Sequence, residues 1–121
     1  AFDPNYPSVF EKANTAYFGK GMVFNKYTGS GGKYSCNDAN PEYLARLRGI
    51  LDRNQILWQT AELGKVDQGG GGTIAWIMAK YNMEVVDCGV PVLSMHAPWE
   101  ITCKLDIFET MRAYRAFLIE A

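Results

Sequence analysis

The hydrophobic period changes between residues 21 and 54, and this change constrains the fold more than any other feature. "GMVFNKYTG" (21–29) is a short apolar run ended by glycine, which reads as a strand. "SGGKYSCNDA" (30–39) is dense in turn formers. At "NPEYLARLRGILDRN" (40–54) Leu44, Leu47 and Leu51 fall on one helical face, with Asn40 as N-cap and Pro41 at the first helical position. "ILWQTAEL" (56–63) reads as a second strand and "GKVDQGGGG" (64–72) as a loop. "TIAWIMAKYN" (73–82) reads as a short helix, with Ile74, Ile77, Met78 and Tyr81 toward the core. "MEVVDCGVPVLSM" (83–95) is strand-like, and Gly89 and Pro91 predict a bend within it. A long helix is expected from Pro98 onward, burying a stripe of Ile101, Leu105, Phe108, Met111 and Leu118. Residues 3–18 read as a further helix with Val9, Ala13 and Tyr17 on one face. Strands alternating with helices predict an α/β sandwich.

Composition narrows the function. The 121 residues suit one domain, and 48% apolar with 21% charged residues is globular, not disordered. A net charge of −1, from 12 basic and 13 acidic residues, argues against nucleic acid and anionic membranes as partners. No apolar run is long enough to cross a bilayer. Cys36, Cys88 and Cys103 are odd in number and form no C-x-x-C pair, which points to reduced thiols and a cytoplasmic setting. The chain opens "AFDPNYPSVF", without Met, and reads as a piece of a longer protein.

Two glycine-rich stretches invite a phosphate reading. Gly70, Gly72 and Ala75 match G-x-G-x-x-A, but "GKVDQ" separates them from the strand, and Asp87 lies too close to serve as the ribose-binding acid. A run of four glycines meets such a pattern almost automatically. Close backbone approach to a ligand, or a flexible loop, explains it as well. "GSGGKYS" fails the P-loop pattern because Tyr27 and Tyr34 stand where Gly and Ser or Thr are required.

His96, the only histidine, sits in "VLSMHAPWE". With Cys88 and Cys103 it matches no zinc-finger spacing and lacks a fourth ligand. Taken alone it reads as a hydrogen-bonded structural histidine. Its place where an apolar strand gives way to a helix is nevertheless where α/β sheets put ligand-binding groups. Glu62 and Asp67 flank the glycine loop and read as solvated charges. Residue pattern alone therefore stops at an α/β domain with a glycine-rich loop and a candidate ligand histidine.

Three ordered stretches carry more: "GGKYSCNDANPEY", "WQTAELGKVDQGGGGTIA" and "DCGVPVLSMHAPWEITCKLD". Together they resemble the C-terminal part of the aspartyl aminopeptidase family of dinuclear zinc aminopeptidases, in its bacterial form. The likeness runs through nearly all of residues 1–121, including the opening "FDPNYPSVFEK". The resemblance implies a three-layer α/β/α sandwich with a mixed sheet, of which this chain is the C-terminal portion of the catalytic domain. It implies removal of N-terminal residues from peptides by a water bridging two zinc ions, with a glutamate as general base. Cobalt and manganese can occupy such sites. The histidine of the family's "MH" motif falls on His96, as the last metal ligand. Lys26, Tyr34, Gly70, Gly71, Gly72, Thr73 and Met95 fall near the substrate. The family's earlier histidine ligand, bridging aspartate, glutamate pair and inserted dimerisation domain have no counterpart here. The chain alone is therefore expected to be inactive, and the complete protein a homo-oligomer, a dodecamer by the resemblance. The rival expectations are a nucleotide-binding α/β domain using Gly69–Gly72, and a non-catalytic assembly module whose last helix packs on a partner.

Overall fold

The computed structural model describes residues 1–25, 40–62, 64–65, 68 and 73–121. Strands β1 (Met22–Asn25), β2 (Trp58–Ala61) and β3 (Asp87–Gly89) form a sheet in the order β2-β1-β3. β1 runs parallel to β2 and antiparallel to β3, so the sheet is mixed, as expected. β4 (Val92–Leu93) and β5 (Ile101–Thr102) pair separately as an antiparallel hairpin. The helices are α1 (Pro41–Arg53), α2 (Ala75–Ala79) and α3 (Lys104–Glu120). No helix among the described residues is long and apolar enough to cross a membrane.

α1 forms as its sequence dictates. The Asn40 side chain accepts the Tyr43 N–H at 2.6 Å, and Pro41 opens the first turn. Leu44, Leu47, Ile50 and Leu51 then bury one face. The alternation along β1 sends Met22 and Phe24 toward the helices and Val23 and Asn25 to the opposite face. Met22, Phe24, Leu44, Leu47, Ile50, Leu51, Ile56, Ala113 and Ala116 make the main core, so α1 and α3 share one side of the sheet. A smaller cluster of Ala16, Val23 and Ala61 lies on the other side. The bend expected at Gly89 and Pro91 falls between β3 and β4.

Four expectations fail, each for a local reason. Residues 3–18 are not a helix. Pro4 and Pro7 interrupt them, and only Pro7–Val9 make a 3₁₀ turn. The segment is closed as a loop instead, by Phe2 N–H to the Ala16 carbonyl at 2.7 Å and Glu62 N–H to the Asn14 carbonyl at 2.6 Å. α2 is only Ala75–Ala79; Ala75 is buried, while Ile74, Ile77, Met78 and Tyr81 are exposed. The last helix starts at Lys104, not near Pro98, because Ile101 and Thr102 pair with β4.

The orientation of α3 is also reversed. Ile101, Leu105, Phe108, Met111 and Leu118 are exposed, and the buried residues are Asp106, Glu109, Thr110, Ala113 and Ala116. The carboxylates are needed inside. Asp106, fully buried, accepts the N–H groups of Gly19 at 2.9 Å and Gly21 at 2.8 Å. Glu109 accepts the Leu57 N–H at 2.9 Å and pairs with Arg112 at 2.9 Å. These donors lead into β1 and β2, and buried N–H groups demand partners. Ala113 and Ala116 then let the helix sit close over the sheet. Gly21 is fixed by the same corner: its φ is +84°, and a Cβ there would lie 2.0 Å from the Leu57 carbonyl oxygen.

Candidate metal and substrate site

The face of the sheet turned away from α1 and α3 carries small and polar residues. The register pairs Val23 with Gln59 and Gly89, and Asn25 with Ala61 and Asp87. Without large side chains this face cannot fill the space above it. A cavity of about 680 Å³ results, floored by Val23, Asn25, Ala61, Asp87 and Gly89, with Glu62 at the end of β2. Ser94, Met95 and His96 enter it from the hairpin, and Thr73 from the residues before α2.

The hairpin register, Val92 opposite Thr102 and Leu93 opposite Ile101, leaves residues 94–100 as its loop. His96 therefore rides on a hairpin tip, not on the strand-to-helix junction expected from sequence. In this chain its side chain is exposed and lines the cavity, not the hydrophobic core. Ser94 and His96 have φ of +57° and +70°, the left-handed region that costs a non-glycine residue about 1–3 kcal/mol. Two contacts hold this backbone: Ala97 N–H to the Ser94 carbonyl at 2.9 Å, and His96 N–H to Glu100 Oε1 at 2.6 Å. At the hairpin base, the Thr102 hydroxyl donates to the Pro91 carbonyl at 2.8 Å.

Thr73 is held at the rim. Its hydroxyl donates to Asp87 Oδ2 at 2.6 Å and accepts the Ala75 N–H at 3.1 Å. The end of the glycine-loop stretch is thus tied to β3. Met95, Thr73 and His96 all line this one cavity. Lys26, Tyr34 and Gly69–Gly72 lie outside the described residues. Glu62, read from sequence as a solvated charge, is buried at 4% exposure and lines the cavity. Asp87 and Glu100 were not singled out by sequence reasoning. The polar positions on the helix-free face of the sheet are the signal that would have found Asp87.

A second cavity of about 180 Å³ lies on the helix side, lined by Leu47, Val86, Cys88, Tyr114 and their neighbours. Burial pushes the Cys88 thiol up and raises Tyr114 to about 12, so both stay protonated at neutral pH. That space is apolar packing, not a reactive site.

The donor set in the larger cavity can be tested against a metal. An exposed imidazole beside open space fits one ligand of a cation. Among the described residues no group of three His, Cys, Asp or Glu side chains converges on one point. The residues fit one corner of a metal centre and not a whole one.

Known proteins resemble this chain over nearly its whole length. The family described as "Aminopeptidase I zinc metalloprotease (M18)" matches residues 1–118. A probable M18 family aminopeptidase 1 of Clostridium acetobutylicum is 70% identical over 118 residues, covering 98% of this chain and 25% of that protein. The crystal structure of aminopeptidase I from the same organism superposes with a TM-score of 0.90, again at 70% identity, covering 98% of this chain and 26% of that one. The M18 aminopeptidase structure from Thermotoga maritima gives 0.89 at 48% identity, over 96% of this chain and 26% of that one. The chain spans about a quarter of the length of these relatives.

Proposed function

This chain belongs to the M18 family of aminopeptidase I zinc metalloproteases, and on that premise we propose that it supplies one metal ligand and part of the substrate wall of an aminopeptidase active site. The observation that carries the reading is the His96 imidazole, exposed on a braced hairpin and facing a cavity over the open side of the sheet. In this reading residues 1–121 are the C-terminal portion of a catalytic domain, and the remaining metal ligands come from the rest of the complete protein.

When bound, a pair of zinc ions supplies Lewis-acid polarisation of the first peptide carbonyl and lowers the pKa of the attacking water. The chain's own residues do the rest of their share by position. His96 holds one metal through a neutral ring nitrogen, which requires its other nitrogen to find an acceptor. Met95 and Thr73 line the pocket for the N-terminal residue of the peptide, and Asp87 holds Thr73 in place. Gly70, Gly71 and Gly72, whose lack of Cβ atoms would let a peptide approach, are assigned to substrate binding by the family resemblance, as are Lys26 and Tyr34. Zinc is the metal of this reading, with cobalt and manganese as competent substitutes. The complete protein is a cytoplasmic homo-oligomer acting on peptides. The exposed apolar stripe of α3 (Leu105, Phe108, Met111 and Leu118) suits the assembly-module reading, and it equally suits packing on the rest of the complete protein. The glycine loop of the nucleotide-binding reading lies outside the described residues.

In the complete protein, His96→Ala is expected to remove most peptidase activity and about one of the two zinc equivalents measured by elemental analysis. Unchanged turnover and zinc content would overturn the assignment. The 121-residue chain by itself is expected to show no turnover, since one imidazole cannot hold two metals.

A further inference from the structure

The cavity gives His96 a place to act, but its backbone has to be held in a conformation that residues with a Cβ disfavour. The β4–β5 strands are two residues each, so the ladder alone defines the loop 94–100 poorly. Within that loop Ser94 and His96 both have positive φ. The His96 N–H points back across the loop to the Glu100 carboxylate at 2.6 Å, a charge-assisted bond between residues four apart. Both groups are exposed, so this bond is not required to satisfy a buried donor. Its effect is geometric. It closes the loop over residues 96–100 while His96 lines the cavity, and it braces the tip as Thr102 braces the base.

We propose that Glu100 is a positioning residue for the metal centre: it touches neither metal nor substrate, and it fixes the backbone from which the His96 imidazole is presented. The proposal rests on the reading of His96 as a ligand. A ligating imidazole has to be held within about half an ångström of its working position, which a seven-residue loop with freed φ angles at Ser94 and His96 does not achieve. Glu100 supplies an acceptor oxygen, and its negative charge is secondary. A glutamine, with a carbonyl oxygen at the same reach, keeps the function.

The test uses the complete protein and zinc, with affinity measured by chelator competition for wild type, His96→Ala, Glu100→Ala and Glu100→Gln. Melting temperature is recorded with the metal removed. Glu100→Ala is expected to weaken one zinc equivalent by about 10–100-fold, the range seen for partners that orient metal ligands. Glu100→Gln is expected to stay within about threefold of wild type, and the metal-free melting temperature to stay unchanged in both. Undiminished zinc affinity in Glu100→Ala, alongside a loss in His96→Ala, overturns the positioning role and leaves the ligand reading standing. Equal losses in Glu100→Ala and Glu100→Gln, or a loss matched by a fall in metal-free melting temperature, overturn it as well. Undiminished zinc affinity in His96→Ala overturns the ligand reading itself.

Discussion

β1 shows two different environments one residue apart. Met22 and Phe24 face α1 and α3 and disappear into the main core; Val23 and Asn25 face the cavity that His96 enters. One face is filled by this chain's own helices, and the other is covered only in part, by the Ala16, Val23 and Ala61 cluster. The packed face uses large aromatic and aliphatic groups, with the Phe24 and Trp58 rings 6.0 Å apart edge to face. The open face uses Ala61, Gly89 and short polar groups. The main core and the proposed site thus lie on opposite sides of the same strands, and substitutions on each side are expected to report different things.

The largest expected effect is on the packed side. Phe24→Ala removes a side chain at 2% exposure and is expected to destabilise by about 3–5 kcal/mol in denaturant unfolding of the complete protein. Asp106→Ala follows. It orphans the N–H groups of Gly19 and Gly21 and is expected to cost about 1–3 kcal/mol for each group left without water. Val23→Ala, on the open side, is expected to cost only about 1–2 kcal/mol, at about 0.8 for each buried methylene. A Val23→Ala cost equal to that of Phe24→Ala would break the contrast between the faces.

The smallest effect is at the far end of α3. There Glu120 accepts from Asn54 at 2.6 Å and from Arg53 at 2.8 Å, and these bonds hold its carboxyl below the usual carboxylate range. A group whose folded pKa is depressed stabilises above its unfolded pKa, and that contribution fades as pH falls through the folded value. Glu120→Gln is expected to lower the melting temperature by no more than about 2 °C at neutral pH. The difference from wild type is expected to vanish in acid, well below the ordinary glutamate pKa. A difference that grows on acidification would contradict the assignment.

How much of this was legible in the sequence depends on the range of the determining interactions. α1 was readable because its signals are local: an N-cap, a proline at the first position and a period of apolar residues. The central sheet was readable from apolar runs and punctuating glycines. α3 was misread because the period rule assumes that polar residues face water. Asp106 and Glu109 instead meet N–H groups brought from Gly19, Gly21 and Leu57, which no window of local sequence contains. β5 was absorbed into the neighbouring helix because a two-residue strand carries no period. At the site, Met95, Thr73 and His96 were named from sequence through the family resemblance. Glu62 and Asp87 were not, because their common cavity exists only once β1, β2 and β3 lie side by side.

The Asp106 clamp joins residues 87 and 85 positions apart. A ribosome makes the Gly19–Gly21 turn before its carboxylate partner, so the leading end of β1 has to wait, unclamped, while the intervening chain is synthesised. Closure over so long a separation is entropically slow. The clamp can therefore close only once α3 has been made.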